Sequence, residues 1–347
     1  MRACLAIVRN TLLETVRQPV YGLILACSCL LIALIPATAA HLYTFTSGTG
    51  LEHVPERMVA DLGLATVQLA GLILAVFVTA GVVSREIEEM TVATVLSKPV
   101  GRVTFLLGKF FGVALGISFA TGAASAVTLL TIRVGSPLES AEPIDWGVVA
   151  GLTLAFLGSL GWATARNYFR GRSWVGSFNL SFVLCVAVIF VIFAVVDRDY
   201  DFIFAPGYVP HGRELAGKDA GLVLTYDWQV FQAAILTSES VLVMVAVALA
   251  ASTRLGTIGN GIATGGVFVL GLTARFLQAQ LAEAMPLAAS LFRVVIPQLE
   301  RFWLSDALVR EVDVPGSYVL ITSLYALSYI SGALCFAALL FDRRDVA

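Results

Sequence analysis

Charge is scarce in this chain. Only 13% of its 347 residues are Asp, Glu, Lys or Arg, about half the share of an ordinary soluble domain. So little charge cannot keep a globule of this size in solution. The net charge is −2, and no basic cluster is large enough for nucleic acid. Catalytic and metal-binding signatures are missing too. There is no G-x-S-x-G and no H-E-x-x-H. His41, His53 and His211 lie far apart and make no ligand spacing, so no metal site is expected. The five cysteines (Cys4, Cys27, Cys29, Cys185 and Cys335) form no C-x-x-C. They read as small apolar fillers. A phosphate loop needs G-x-x-x-x-G-K-[ST], so that backbone N–H groups cradle phosphates. The Gly108-Lys109 pair has no glycine five residues earlier and is followed by Phe110. The chain is therefore not expected to bind a nucleotide cofactor or to be an enzyme.

What the chain has is apolar length. Hydrophobic residues make up 58%, and the mean hydropathy is +0.88. A bilayer core about 30 Å thick is crossed by about 20 apolar residues in a helix. Residues 18–51, 62–84, 110–132, 146–165, 173–196, 255–274 and 314–341 carry no charge. An eighth run, 240–253, becomes long enough when extended back to Trp228, which takes in Glu239. Backbone polar groups must pair within the segment in lipid, so these runs are expected to be helices. The predicted fold is all-α, a polytopic integral membrane protein of about eight transmembrane helices in one domain. Trp146, Trp174 and Trp228 fall at the starts of three spans, where indole rings favour the headgroup level.

Eight spans put both ends on one side. Assigned to the cytoplasm, that side holds 13 Lys/Arg and 6 Asp/Glu, and the other holds 9 and 18. The basic excess fits the positive-inside rule, with both termini in the cytoplasm. Residues 197–227 and 277–313 then become extracytoplasmic loops. The second is apolar and divided by Pro286 and Pro297. It reads as a surface-bound helix or as a lid dipping back under protein cover, with Trp303 as the lid's anchor. Ala37-Thr38-Ala39 has the small-x-small pattern of a cleavage site. The long preceding segment, which contains Glu14, is unlike a signal peptide, so the first span is expected to stay.

Four further features stand out. Residues 1–18 read as an amphipathic interfacial helix, with Leu5, Val8, Leu12 and Val16 on one face, or as a plain basic topogenic start. Pro19 breaks it. Gly108, Gly112 and Gly116 make a smooth stripe, as do Gly261 and Gly265. Both read as packing seams, within one subunit or between two. Glu239 is either an intramembrane carboxylate with a role in proton or substrate handling, or an interfacial residue of a span that starts later. Finally, the segment 84–104 holds a short helix with Arg85, Glu88 and Glu89 on one face, ended before Pro99. It reads equally as a lever for a partner protein and as a plain solvated loop.

That segment resembles the E-x-E-x-x-T…L-S-K-P-V-x-R…F-x-x-G-K pattern of type-2 ABC exporter permeases. The match falls at Glu86, Glu88, Thr91, Leu96, Ser97, Lys98, Pro99, Val100, Arg102, Phe105, Gly108 and Lys109. The start of the chain is similar to the family's elbow helix at Arg2, Arg9, Asn10, Thr11, Glu14, Arg17, Gln18 and Pro19. Ser252–Leu255, Ile296–Leu308 and Leu340–Asp345 resemble later patches in the same order. The resemblance implies a plasma (inner) membrane permease subunit. It would work with a second permease subunit and with a separate ABC ATPase that supplies ATP and docks on the cytoplasmic loops. Glu86, Glu88, Glu89, Thr91, Leu96, Ser97, Lys98, Pro99, Arg102 and Lys109 would carry the coupling. Many members have six spans, so eight is a departure. The rival readings are a secondary transporter using an intramembrane carboxylate, and a membrane-bound enzyme. The transported substrate is not written in these residues.

Overall fold

The structure is a computed structural model that describes residues 2–46, 54–84, 101–134, 144–196, 200, 228–304, 307 and 314–342. The described residues hold eleven α-helices and no strand. They are α1 (Arg2–Arg17), α2 (Pro19–Thr46), α3 (Val54–Thr79), α4 (Arg102–Val134), α5 (Trp146–Arg170), α6 (Trp174–Val195), α7 (Trp228–Ser252), α8 (Thr257–Leu272), α9 (Ala274–Ala284), α10 (Pro286–Val295) and α11 (Gly316–Asp342). A π-helical turn, Ala80–Ser84, prolongs α3, and a 3-10 turn covers Leu299–Phe302. Among the described residues seven helices are long and apolar enough to cross a membrane, and a bent pair brings the number up to eight.

Helix starts follow local chemistry. α5, α6 and α7 each begin at a tryptophan, as the headgroup preference of indole predicts. Asp145 caps α5 by accepting from the N–H groups of Gly147 (3.1 Å) and Val148 (3.2 Å). Gly171 ends α5 in the left-handed region, at φ 59°, a conformation that costs glycine little. It lets α6 return alongside α5. Pro19 opens α2 after a break at Gln18, where a missing N–H does no harm.

Arg102 donates to the carbonyl of Asp342 at 2.8 Å, and Phe105 stacks on Phe341 at 6.0 Å. The first turn of α4 and the last turn of α11 therefore share one end of the bundle, called here the terminal end. α1 starts at that end as well, because Cys4 and Ile7 pack against Gly108.

α7 and α11 run side by side in the same direction. Glu239, twelve residues into α7, bonds Ser323, eight residues into α11. Near their ends, Leu249 shares a buried cluster with Phe341. Two parallel helices need the chain between them to travel back across the bundle. α8 supplies only part of that return. Its 16 residues rise about 24 Å, and at Thr273 the axis bends by 73° into α9. α9 and α10 then pack on each other, and Pro286 sits at the first position of α10. The Tyr329 hydroxyl donates to the carbonyl of Val295 at 2.7 Å. Tyr329 lies twelve residues before Phe341, about 18 Å up α11. The end of α10 is thus held near mid-bundle height, beside α11. From there 296–304 climbs: the Gln298 N–H reaches the Tyr325 hydroxyl at 2.8 Å, and the Tyr318 hydroxyl reaches the Arg301 carbonyl at 2.8 Å.

Leu299, Phe302 and Leu304 are buried in a cluster with Leu64, Leu236, Met244, Phe268 and Ala326. The pinning residues of this stretch are therefore Leu299, Phe302 and Leu304, with Trp303 only half-buried. Apolar residues of α9 and α10 (Phe276, Leu287, Leu291, Val294) stay exposed. That suits a hairpin facing lipid.

Candidate functional site

Two regions of the bundle answer to the candidates named from the sequence. The first is the terminal end. Glu86, Glu88, Glu89, Thr91, Leu96, Ser97, Lys98 and Pro99 lie outside the described residues, and the short helix expected there goes with them. The structure does place the two flanks. On one side, α3 passes into its π-helical turn, a local widening frequent at functional sites. Asn260 of α8 holds this junction by donating to Thr79 Oγ1 (3.0 Å) and to the Val76 carbonyl (3.3 Å). Thr264 donates to Asn260 Oδ1 at 3.1 Å. Gln18, the break residue between α1 and α2, packs against Gly81 of the turn.

On the other flank, Arg102 ties α4 to Asp342 in an exposed ion pair of 3.4 Å. Lys109 is buried and pairs with Glu14 of α1 at 3.5 Å, its ammonium 5.7 Å from the Phe105 ring. Of the two described coupling candidates, Arg102 is open to solvent and Lys109 faces α1.

The glycine stripe of α4 explains this closeness. A Cβ on Gly108 would lie 2.7 Å from Ile7 Cγ2, on Gly112 2.5 Å from Thr11 Cβ, and on Gly116 2.6 Å from Thr15 Cγ2. The three glycines form the seat of α1, which runs parallel to α4, so this seam lies within one subunit. Gly261 meets only Val76, at ordinary contact distance, and Gly265 has nothing within 4 Å.

The second region surrounds Glu239. α7 starts at Trp228, so Glu239 lies well inside the span, about 16 Å from that start at 1.5 Å per residue. Its Oε1 accepts from the Ser323 hydroxyl at 2.8 Å, and its Oε2 is buried without a partner. Next to it, Ser240 donates to Gln68 of α3, and both are buried. Two turns earlier on the same face, Gln232 Oε1 is also buried and unpartnered. An ionised side chain at the bilayer centre costs about 2.5–3.5 kcal/mol on insertion scales. Leu236 and Val243, flanking Glu239 on this face, are fully buried. The carboxyl therefore sits between two buried apolar side chains, with a second polar group, Gln232, two turns away.

The sequence reading missed a third group, at the opposite end. Arg133 Nε donates to Asp145 Oδ2 at 2.8 Å with both side chains buried. The guanidinium also donates to the carbonyls of Phe193 (2.7 Å) and Val196 and lies 4.9 Å from the Phe193 ring. Tyr200 donates to Asp145 Oδ1 at 3.1 Å. One charge pair thus joins the ends of α4 and α6 to the start of α5. A signal was present: a lone arginine closes the charge-free run 110–132, and an aspartate precedes Trp146 in the helix-capping position. Among the described residues no three His, Cys, Asp or Glu come together in a way that could hold a metal ion.

The fold defines the class: a multi-pass, α-helical membrane protein. No protein-family model matches the chain, and a search of curated proteins returns no match.

Proposed function

We propose that this chain is the membrane-spanning subunit of an ABC transporter of the exporter kind, driven by a separate ATPase that docks on the segment 84–104. The reading rests first on the ordered resemblance to type-2 exporter permeases at Glu86–Lys109. A single structural observation supports it most. The flanks of that segment connect directly to the helices that would have to move: the π-helical turn to α8 and Gln18, Arg102 to α11, and Lys109 to α1. A push on such a segment would reach α1, α8 and α11 through these contacts. In this reading the terminal end is cytoplasmic, the membrane is the plasma (inner) membrane, and a second permease subunit completes the path. ATP comes through the partner.

The test is assembly. The chain is purified in mild detergent with any ABC ATPase encoded beside it, and Glu88→Lys and Arg102→Glu are compared with the parent. Arg102 is exposed, and a surface pair contributes only about 0–1 kcal/mol. The fold should therefore survive while co-purification or stimulated ATP hydrolysis falls. Unchanged assembly and turnover in both variants would favour the second reading, a secondary transporter. That reading draws on the half-partnered carboxyl of Glu239, since intramembrane carboxylates serve proton and ion pathways.

A further inference from the structure

Arg102, Lys109, Arg133 and Arg275 each pair with a carboxylate, and Arg301 donates to Gln298. Arg17, Arg166, Arg170 and Arg172 hold no ion pair with any described residue, and they come together. α5 begins and α6 ends beside Arg133, so the turn between them lies toward the terminal end of the bundle. Arg170 and Arg172 sit in that turn and are exposed. Arg166 lies one helical turn before Arg170 on the same face of α5, and its Nε is buried without a partner. Arg17, the last residue of α1, crosses the first turn of α6: a Cβ on Gly176 would lie 2.8 Å from Arg17 Cγ and 2.8 Å from Ser173 Oγ. Asn179 holds this crossing by donating to the Val16 carbonyl at 2.8 Å. Residues 146–196 contain no Asp or Glu, so neither α5 nor α6 offers these cations an acid.

We infer that this arginine cluster is a binding site for an anionic phospholipid, held by its phosphate. A guanidinium offers N–H donors in a planar fork and no acceptor. Phosphate oxygens accept from such a fork in pairs, and they supply the acceptor that Arg166 Nε lacks.

The height of the cluster favours a lipid over a soluble anion or an acidic protein. α5 ends at Arg170 and α6 starts at Trp174, and Gly171 reverses the chain at once. So short a turn keeps the arginines at the helix ends and does not carry them out into solvent. Aromatic rings mark the same level. Trp162 lies one turn before Arg166, and Trp174 opens α6 and donates to Thr164 Oγ1 at 3.2 Å. Indole rings favour the headgroup zone. Tyr168 and Phe169 are 83% and 80% exposed, which suits side chains lying among headgroups and the first methylenes. Deeper along the pair, Leu157 and Leu184 stay exposed and offer a surface to the acyl chains of the same lipid. Basic clusters next to a span attract the anionic lipids of the cytoplasmic leaflet, in keeping with the orientation proposed for the terminal end. This inference stands whether or not an ATPase drives the chain.

Competition between two lipids provides the test. The full chain in mild detergent is offered equal amounts of phosphatidylglycerol and phosphatidylcholine with identical acyl chains, and bound lipid is counted by native mass spectrometry. Each interfacial arginine is worth about fivefold in affinity for anionic lipid. The parent is therefore expected to retain phosphatidylglycerol over phosphatidylcholine by more than about tenfold, and the double change Arg170→Gln, Arg172→Gln to lower that ratio by at least about fivefold. Arg254→Gln, Arg293→Gln removes the same charge from two other exposed positions and should leave the ratio as it is. Equal retention of the two lipids by the parent overturns the inference. So does an unchanged ratio in the Arg170, Arg172 variant, or an equal fall in the Arg254, Arg293 control, which would make the preference one of bulk charge. Displacement of the lipid by inorganic phosphate also overturns it, because the cluster would then be a plain anion site. The lipid preference and the phosphate arm are read on the parent and stay decisive if a variant fails to fold.

Discussion

Gly112 sits where two backbones come close. A methyl group there would meet Thr11 Cβ at 2.5 Å and the Val8 carbonyl at 2.9 Å. Neither neighbour is the loose end of a long side chain, so α1 must move. Overpacking of this kind costs about 1–3 kcal/mol. Gly265 is the control, with open space where a Cβ would lie. In a helix, alanine there gains about 0.5–1 kcal/mol over glycine. Thermal unfolding in one detergent should show Gly112→Ala melting below the parent, and Gly265→Ala level with it or above. A Gly112→Ala protein with unchanged melting would mean that α1 does not seat on this stripe in solution. Four-residue spacing marked both stripes alike in the sequence. Only packing separates them, because a glycine shows that close approach is allowed and does not show by what.

At the scale of elements, polar contacts inside and at the rim of the bundle decide how helices are joined. Arg133 and Asp145 are both nearly inaccessible, and removing one partner of such a pair leaves an uncompensated buried charge. Arg133→Met is expected to cost about 3–5 kcal/mol, while the double change Arg133→Met, Asp145→Asn restores much of that loss. Melting temperatures of the two single variants and the double, compared as a cycle, check this; additive losses would show that the pair is not coupled. A milder case is Tyr329→Phe, which removes the bond to the Val295 carbonyl. A net hydrogen bond contributes about 0.5–1.5 kcal/mol. The global melt should therefore move little, while amide exchange over 286–304 quickens. Unchanged exchange there would show that Tyr329 does not pin α10.

Most of these elements were legible beforehand. Charge-free runs and tryptophan positions located the spans, since lipid leaves the backbone no other partner. The bend at Thr273 was not legible. The run 255–274 is as apolar as its neighbours, and the contact of Gly271 near its end with Pro297 and Leu299 comes from a distant part of the chain. Glu239 was visible as an odd residue. Its surroundings were not, because Gln68 and Ser323 reach the same region from distant parts of the chain.

For the whole molecule, the decisive quantity is the number of crossings, because each crossing changes the side on which every later loop emerges. α7 and α11 point the same way, so the return through α8 and the α9–α10 hairpin counts as a crossing even though no single straight helix makes it. This predicts sidedness. In a cysteine-free background, Arg172→Cys in the α5–α6 turn and Arg254→Cys after α7 should react from one face of a sealed vesicle. Ser317→Cys at the start of α11 should react only from the other. Under the orientation proposed above, which follows the positive-inside rule, the face of Arg172 and Arg254 would be the cytoplasmic one. A membrane-impermeant maleimide applied to intact cells should then label Ser317→Cys alone. If Arg254→Cys and Ser317→Cys were to label together, the bent pair would be re-entrant and the crossings would number seven. The terminal ends would then part company, a result that the contact between Arg102 and Asp342 forbids.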